Sequence, residues 1–572
     1  MSTAREARRR TRRPPAVRRR AYAALLFVVL FLAGCANIPE ESTPHAVRDD
    51  QQPSTGEAAE PPPSANLNPF DLVREFVRRS GNPDAARQYL TKRGQHDWGG
   101  DYKPTIIDDI FGTVPDQAED EVQAGKDQGS GPITRVSVML RVTVLGRLGS
   151  DNAFVPMIGE NQFRVGVVRE KGQWRIDEPP EGLYVPLSDF NASYRPVTVY
   201  FFDPDLRIIV PDQRYVAAKP EEGLPGRVIS TLLFGPSDAM RRSLATPLQG
   251  VTTRTNVVED SDGTLVVDLG PLGDKPEEQR ELIAAQIVLT MRDVTSSRLR
   301  IKGDGQDLIP GHGDWRPTDI KQYDALTKPS SDQPGLMSSA GRLYTLLDGK
   351  PVPGPAGNGS YNVVSAAQSI DGGQLAVVTK NGDKLRLRVG RYGSESLQEI
   401  ALDATTMTRP TWRVSSVEGQ DANELWTVED GNVVRVVRSG TGSWTPVEVN
   451  ATSLQDFGPI REFRLSRDGT RAAMVMTNGK LVVAAVVRDR DSVSLANPRT
   501  LQQRTINNAV GVDWLNQHTL VVVTGQTDLP VVRVPVDGLT LDPYDSSNLQ
   551  FPLHAVTATP ERDVVVTDNA AV

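Results

Sequence analysis

The spacing of apolar and polar positions divides the chain into a helical segment, two mixed segments and a long strand-rich segment. The first periodic stretch places Leu72, Val73, Phe76 and Val77 on one face of a helix. Asn68 stands at the N-cap position, where its side chain can accept a hydrogen bond from a free N–H group of the first turn. The pattern therefore predicts that ordered structure begins near residue 67 with an amphipathic helix.

Strand-like runs follow this helical start. They cover Thr134–Leu145, Phe163–Glu170 and Gln173–Asp177. Lys171-Gly172 joins the last two runs and is typical of a hairpin turn. Helices followed by antiparallel strands predict a small α+β domain over residues 67–195. Trp174 lies on the last strand, where we expect core packing, with a ligand platform as the alternative.

The next segment repeats the mixture of strands and helices. Two apolar runs flank a turn at Asp203-Pro204-Asp205, and a second hairpin surrounds Asp262-Gly263. An amphipathic helix ends at Gly235-Pro236, and a longer helix and a final strand follow. This order predicts a second α+β domain over residues 196–312.

Four short pieces of this segment resemble the GerMN domain of sporulation and germination proteins. The matching pieces are Val199-Tyr200-Phe201-Phe202, Leu232-Leu233-Phe234-Gly235-Pro236, Val266-Val267-Asp268-Leu269 and Gln286-Ile287-Val288-Leu289-Thr290. Each piece alone is weak, and the resemblance rests on their order and spacing.

An internal repeat marks the C-terminal part of the chain. After a Pro- and Ser-rich stretch, interpreted as a linker over residues 313–338, the pattern Ser-x-Asp-Gly, strand, Asn-Gly, strand begins at Ser369 and again at Ser466. Strand-like runs containing Trp412 and Trp514 interleave with it, which gives a period near 50. Periods of this length with several strands indicate propeller blades.

We therefore predict an all-β propeller of five or six blades over residues 339–572, the last completed by strands near Leu343-Tyr344. A two-sheet sandwich with extra strands is the alternative. Trp412, Trp426 and Trp514 are expected to pack between blades rather than to contact a ligand.

The N-terminus has the features of a bacterial lipoprotein signal. Residues 1–20 contain nine arginines and one glutamate, and a 13-residue apolar stretch follows over Ala21–Ala33. That stretch is short for a spanning helix, which needs about 20 residues, and fits the apolar region of a secretory signal. Leu32, Ala33 and Gly34 then precede Cys35, the only cysteine of the chain, in the order of a lipobox.

A lipobox implies cleavage after residue 34 and a diacylglyceryl group, with a further acyl chain, on Cys35. The alternative is an uncleaved signal anchor with an incidental cysteine. Two acyl chains suffice for stable attachment at about 0.8 kcal/mol per buried methylene. Residues 35–66 contain six prolines and no aromatic residue, a composition that favours a disordered tether.

Charge narrows the range of partners. The whole chain has a formal charge of −8, and loss of nine arginines and one glutamate with residues 1–34 changes it to −16. A chain this acidic would be repelled by nucleic-acid phosphates. No nucleic-acid partner is therefore expected.

The sequence contains little that indicates catalysis. It has neither a G-x-S-x-G nucleophile elbow nor a phosphate-binding G-x-x-x-x-G-K-[ST] loop. The five histidines are scattered without metal-ligand spacing. We interpret His96-Asp97-Trp98 as a loop rather than an acid–base pair, and Asp108-Asp109 as turn residues rather than a glycosidase dyad. No catalytic residue, metal or cofactor is predicted.

Taken together, the lipobox, the first domain ending in Gly172-Gln173-Trp174-Arg175-Ile176, the GerMN-like middle and the propeller resemble the LpqB family of actinobacterial lipoproteins. The resemblance covers nearly all of the mature chain. It implies a lipid-anchored accessory protein outside the membrane that acts on the sensor histidine kinase of a two-component system of the MtrAB type, affecting cell division and envelope upkeep. A peptidoglycan- or glycan-binding envelope protein, with hydrolysis included, is the alternative.

Overall fold

The computed structural model describes residues 62–98, 102–116, 134–324, 333–415, 420–490 and 492–570. Residues Pro61–Val572 form one compact unit. The predicted signal peptide, the lipobox of Leu32, Ala33, Gly34 and Cys35, and the tether as far as residue 61 lie outside the described residues.

The N-terminal domain packs short helices on one antiparallel sheet with a single parallel pair. Its helices are α1 (Pro69–Arg79), α2 (Pro83–Arg87), α3 (Lys92–Asp97) and α4 (Leu187–Ser193). Its strands are β1 (Pro104–Ile107), β2 (Gly112–Pro115), β3 (Arg135–Leu148), β4 (Phe154–Glu170), β5 (Gln173–Glu178) and β6 (Leu183–Pro186). The sheet order is β5-β4-β3-β1-β6, with β2 on β3, and β1 pairs with β6 in parallel.

The predicted N-cap and apolar face are present in the first described helix. The Asn68 side chain accepts a hydrogen bond from the N–H group of Asp71, and the predicted apolar face of α1 is buried. Phe76 meets the ring of Trp98 edge-on at 5.3 Å between centroids. Lys171 and Gly172 both have positive φ and form the tight turn between β4 and β5.

The middle domain contains a long hairpin, a mixed sheet and two main helices. Its strands are β7 (Tyr194–Phe202), β8 (Ile209–Ala217), β9 (Thr252–Thr253), β10 (Val258–Glu259), β11 (Thr264–Gly270), β12 (Arg298–Gly303), β13 (Gln306–Asp307) and β14 (Asp314–Trp315). Its helices are α5 (Leu224–Phe234), α6 (Glu277–Met291) and α7 (Lys321–Asp324). The sheet runs β10-β11-β12-β13, with β9 on β11 and β14 on β12.

Nine consecutive residues of α6, from Ile283 to Met291, are buried, so this helix forms the centre of the domain. Two of them are polar and have partners on β7. Gln286 donates from Nε2 to the Tyr200 carbonyl at 2.7 Å, and the Thr290 hydroxyl accepts from the Tyr200 N–H at 3.1 Å. The helix is thereby fixed against the hairpin that reaches the propeller.

The predicted linker over residues 313–338 requires correction. Asp314 and Trp315 pair with β12, and the buried Ile320 belongs to the core of the middle domain. At the other end, residues 336–339 already form a propeller strand. Polar composition concealed these elements, because each contributes only one or two apolar side chains to a core.

The C-terminal domain is a series of sheets in chain order. Two two-stranded sheets flank four four-stranded blades, and a one-turn helix, α8 (Pro355–Asn358), precedes the first blade. The first small sheet is β15 (Leu336–Ser339) and β16 (Arg342–Thr345). Blade 1 is β17 (Val363–Gln368), β18 (Gln374–Asn381), β19 (Lys384–Arg391) and β20 (Gln398–Glu399). Blade 2 is β21 (Thr411–Trp412), β22 (Glu424–Glu429), β23 (Asn432–Arg438) and β24 (Trp444–Glu448). Blade 3 is β25 (Ile460–Leu465), β26 (Arg471–Met476), β27 (Leu481–Arg488) and β28 (Val493–Leu501). Blade 4 is β29 (Ala509–Asn516), β30 (Thr519–Thr524), β31 (Val531–Pro535) and β32 (Asp542–Pro543). The last small sheet is β33 (Ala555–Thr557) and β34 (Val565–Thr567).

The closure of the propeller differs from the prediction. Leu343 and Tyr344 pair with Ser338 and Met337 in the first small sheet, and the described residues show no pairing between that sheet and β33–β34. Because polar residues surround them, residues 336–339 were assigned to the linker. Leu343 and Tyr344 were therefore left without the strand with which they pair.

The repeated Ser-x-Asp-Gly pattern forms the same turn in blades 1 and 3. Ser369 and Ser466 each donate from the hydroxyl to the aspartate two residues later, at 2.6 and 2.7 Å. Each hydroxyl also accepts the N–H group five residues later, at 2.9 Å. Gly372 and Gly469 have φ values of 78° and 74°, which favour glycine because it carries no Cβ.

The tryptophans join neighbouring blades, as predicted. Trp412 donates from its indole nitrogen to the Ala367 carbonyl of blade 1 at 2.9 Å, and Trp514 donates likewise to the Arg464 carbonyl of blade 3 at 3.1 Å. Trp426 lies parallel to Phe463 of blade 3, with 6.0 Å between centroids. The period of about 50 residues therefore corresponds to one blade, and the predicted fold class is confirmed.

Candidate functional site

Buried polar contacts join the middle domain to the propeller. Arg413, whose side chain is 10% exposed, approaches the fully buried Asp203 to 3.0 Å between Nη2 and Oδ2. The other Asp203 oxygen accepts the N–H groups of Arg207 and Ile208 at 2.8 and 2.9 Å. Burial raises the pKa of Asp203, and these N–H groups and Arg413 act against that rise.

Glu424 lies on the propeller side of this junction and receives two guanidinium groups. Arg488 donates to both of its oxygens, at 3.0 and 2.8 Å, and Arg413 lies 4.0 Å away. Burial alone would raise the pKa of Glu424, but Arg488 and Arg413 hold it below its usual range. The carboxylate therefore remains charged and fixes Arg413 in front of Asp203.

All three domains meet at Tyr215 on β8. Its ring lies among the core residues of the N-terminal domain, 5.3 Å from the Phe190 ring. Its hydroxyl donates to Oδ2 of the propeller residue Asp537 at 2.6 Å. Nearby, Arg471 of blade 3 donates to the Pro211 carbonyl at 2.7 Å. These contacts place the three domains in one fixed arrangement.

That arrangement creates a cavity of about 480 Å³ between the N-terminal domain and the propeller. One wall is formed by the start of β4, with Pro156, Met157 and Ile158, and the opposite wall includes Phe457 and Pro498. We call this cavity, after the apolar residues Met157 and Ile158 in its lining, the apolar groove. Met157 is 49% exposed and Ile158 is 42% exposed. Half-exposed apolar side chains that adjoin a cavity are candidates for an interaction site.

Charged residues border the apolar groove. Asp108 and Asp109 belong to its lining, and Arg504 of the propeller approaches Asp108 to 3.6 Å. Asp109 accepts the N–H group of Ser188 at 2.8 Å, and Asp108 accepts that of Ile110 at 3.0 Å. Asp108 therefore stabilises a turn and Asp109 stabilises the start of α4, both at the edge of an apolar surface. Interfaces commonly surround an apolar centre with such a polar rim.

Other candidate residues do not converge with this groove. His96 is exposed and contacts the adjacent Asp97 at 3.1 Å, whereas Trp98 is buried and donates to the Gly182 carbonyl. Trp174 is half-buried, with the Arg169 guanidinium 5.9 Å from its ring. Within the described ranges, no three His, Cys, Asp or Glu side chains are grouped so that they could hold a metal ion.

The sequence analysis missed the groove. It assigned a strand to Phe163–Glu170 only, whereas β4 begins at Phe154. The run Ala153-Phe154-Val155-Pro156-Met157-Ile158, which follows the turn residues Asp151 and Asn152, was the available signal. A helix long and apolar enough to cross a membrane does not occur among the described residues.

Two α+β domains, joined by buried contacts to a C-terminal propeller, define the structural class. Three family models match these domains. The model described as Lipoprotein LpqB, N-terminal domain, covers residues 62–191, that of sporulation and spore germination covers 198–309, and the LpqB beta-propeller domain covers 341–572.

Similar proteins extend over almost the whole chain. Lipoprotein LpqB of Mycolicibacterium smegmatis is 32% identical and covers 95% of this chain and 93% of its own length. Lipoprotein LpqB of Mycobacterium tuberculosis is 31% identical, with 94% and 92% covered. Among solved structures, the β-propeller domain of Cps50 (Swd1) from Myceliophteria thermophila matches 41% of this chain and 76% of that chain at 12% identity and a TM-score of 0.29. The chain belongs to the LpqB lipoprotein family.

Proposed function

We propose that this chain is a non-catalytic accessory lipoprotein that modulates a sensor histidine kinase from outside the membrane. In this proposal, Cys35 carries the S-diacylglyceryl and N-palmitoyl groups that anchor the protein in the cell membrane. The kinase belongs to a two-component system of the MtrAB type, as the family resemblance implies, and its output affects cell division and envelope upkeep.

The apolar groove is the observation that supports a protein partner. Met157 and Ile158 are each about half exposed. Full burial of such a side chain contributes about 1.5–3 kcal/mol, so covering the exposed halves contributes roughly 2 kcal/mol together. A tenfold shift between two kinase states requires a difference of only about 1.4 kcal/mol in binding free energy. A partner surface that covers both residues in only one kinase state meets that requirement.

The predicted tether makes a weak contact effective. A flexible tether of the predicted length, residues 35–66, would span roughly 30 Å and keep the folded domains close to the membrane surface. Confinement raises the effective concentration of the groove around a membrane protein. An interface of modest area is therefore sufficient for regulation.

Direct binding tests the proposal. The full chain in detergent is titrated with the purified extracellular domain of the kinase, for the parent protein and for Met157→Glu, which places a charge in the groove. Leu347→Glu is the matched control, because Leu347 is an apolar residue 84% exposed and outside the groove lining. We expect Met157→Glu to weaken binding at least about tenfold and Leu347→Glu to bind as the parent does.

Absence of binding by the parent protein, or equal weakening in both variants, would contradict the proposed surface. Co-sedimentation of the parent protein with purified cell wall, in the absence of kinase binding, would instead favour a peptidoglycan-binding role. The two functions are thereby separated by the same protein preparation.

A further inference from the structure

A second cavity, of about 200 Å³, lies at the centre of the propeller. Residues from the first strand of every blade contribute to its wall, as does the last small sheet. These include Gln368 of β17, Thr411 of β21, Arg464 of β25, Asp513 of β29 and Thr557 of β33. Leu336 of the first small sheet lines it too, and since six sheets converge there, this central cavity occupies the propeller axis.

The charge of the central cavity is strongly positive. Of the described residues that line it, four are arginines, Arg409, Arg464, Arg467 and Arg562, and one is an acid, Asp513. Glu462, next along β25, pairs with Arg464. With Glu462 included, two acids stand against four arginines among the described residues at the cavity, within a chain whose formal charge is −8.

Backbone carbonyl groups hold these guanidinium groups in place. Arg464 donates from Nη1 to the carbonyls of Phe463 and Arg409 at 2.7 and 3.2 Å. Arg467 donates from Nη2 to the Ala558 carbonyl at 3.2 Å and to the Thr559 hydroxyl at 3.2 Å. The carbonyl contacts order these side chains, and the charge of Arg464 is in addition partly balanced by Glu462 and Asp513.

Two donors in this group lack an acceptor. The Nε atoms of Arg464 and Arg467 are buried and have no hydrogen-bond partner among the described residues. Asp513 does not supply one to Arg464, because its Oδ1 lies 3.9 Å from the Arg464 Nε, beyond hydrogen-bond distance. Buried donors without acceptors are uncommon because they lose their hydration.

The electrostatics favour an added anion. Burial, and secondarily the charge of Arg409, lowers the pKa of Arg464 to about 10. Burial also lowers the pKa of Arg467, the charge of Asp513 acts against this, and Arg562 adds a smaller lowering. A negative charge in the cavity would restore the lost stabilisation of each guanidinium group. The indole N–H groups of Trp412 and Trp514 are already used between blades and do not compete.

We propose that the central cavity binds a small oxyanion of the phosphate class through Arg464 and Arg467, with Arg409 and Arg562 adding charge. Guanidinium N–H groups donate charge-assisted hydrogen bonds to phosphate oxygens, and the Nε atoms of Arg464 and Arg467 are buried donors without a partner among the described residues. The repeated turn also shows which sequence position faces the cavity. Arg467 occupies the x position of Ser-x-Asp-Gly in blade 3, and its equivalent in blade 1, Ile370, lines the same cavity.

Calorimetric titration of the full chain with inorganic phosphate tests the site. We expect one saturable site, weakened at least about tenfold by Arg467→Gln and less by Arg562→Gln, an exposed position where loss of the side chain should not impair folding. Arg435→Gln is the matched control, because the Nε of Arg435 is also buried without a partner but lies outside the cavity lining. It should bind phosphate as the parent protein does.

Glycerol 3-phosphate in a parallel titration distinguishes the source of the phosphate. Binding of inorganic phosphate alone indicates a free anion, and tighter binding of the ester indicates a phosphorylated lipid or polymer; both outcomes support the site. No saturable binding of either probe to the parent protein would overturn the proposal. Equal affinity in the parent, Arg467→Gln and Arg562→Gln proteins would overturn it as well.

Discussion

Replacing Tyr215 by phenylalanine tests whether the three domains act as one body. The substitution keeps the ring that lies against Phe190 and removes only the hydroxyl that donates to Asp537 at 2.6 Å. Tyr215 is 6% exposed and Asp537 is 4% exposed, so water cannot readily replace the lost bond. The second oxygen of Asp537 keeps its bond from the Leu539 N–H at 3.1 Å.

A hydrogen bond to a charged group contributes about 1.5–3 kcal/mol to stability. Since one carboxylate oxygen keeps its partner, we expect Tyr215→Phe to lower the free energy of unfolding by about 2 kcal/mol. Urea unfolding of the full chain at pH 7, followed by circular dichroism, measures the change. Tyr194→Phe is the matched control, because Tyr194 also stacks on Phe190 and its hydroxyl has no hydrogen-bond partner in the described ranges.

The pH dependence supplies an independent check. Burial, and then the charge of Asp537, raises the pKa of Tyr215 above its ordinary value of 10.0. Above pH 10 the unfolded chain loses this proton and the folded protein keeps it, so the contribution falls with rising pH by up to about 1.4 kcal/mol per unit. The stabilities of the parent and Tyr215→Phe proteins should therefore converge above pH 10. A difference that stays constant, or a Tyr194→Phe loss of equal size, would refute the reasoning.

Three further predictions concern other parts of the chain. Burial, and secondarily Arg471, lowers the pKa of His518 below 6.5, so the parent protein should lose stability as the pH falls below that value. The free energy of unfolding from urea titrations should depend less on pH for His518→Gln, and identical pH dependence in the two proteins would contradict this. Trp514→Phe removes the indole bond to blade 3 and should cost about 1–3 kcal/mol in the same assay, whereas an unchanged midpoint would argue against blade-to-blade coupling. Cys35→Ala should abolish incorporation of labelled fatty acid and leave the signal peptide uncut, and retained label would exclude the lipobox assignment.

Local patterns were predictable because short-range chemistry determines them. The Ser-x-Asp-Gly turns need a hydroxyl, a carboxylate and a glycine at positive φ within four residues, and all three are visible at Ser369 and Ser466. The N-cap at Asn68 and the turn at Gly172 follow the same logic. Repetition of the tryptophan-containing strands then predicted blades.

Contacts between distant segments were not predictable in this way. The pairing of Asp314 and Trp315 with β12 depends on a core built elsewhere, and their polar neighbours gave no strand signal. Met157 and Ile158 are apolar residues that sequence alone would place in a core equally well. Their exposure depends on how the N-terminal domain and the propeller pack, which involves residues far apart in the sequence.

The central cavity shows the same limit. Arginine at position 467 is consistent with a solvated turn in the sequence, and only the convergence of six sheets places it beside Arg464. Its equivalence to Ile370 indicates which repeat position faces the axis. It does not indicate that several cations meet there.

The most direct test of the proposed function is the rate of phosphotransfer by the kinase reconstituted in proteoliposomes. The rate to the response regulator is measured without the lipoprotein, with the lipidated parent protein, and with Met157→Glu and Leu347→Glu. We predict that the parent and Leu347→Glu proteins change the rate to the same extent and that Met157→Glu leaves it near the lipoprotein-free value. Identical autokinase and phosphotransfer rates under all four conditions, with no binding to the extracellular domain, would contradict the account.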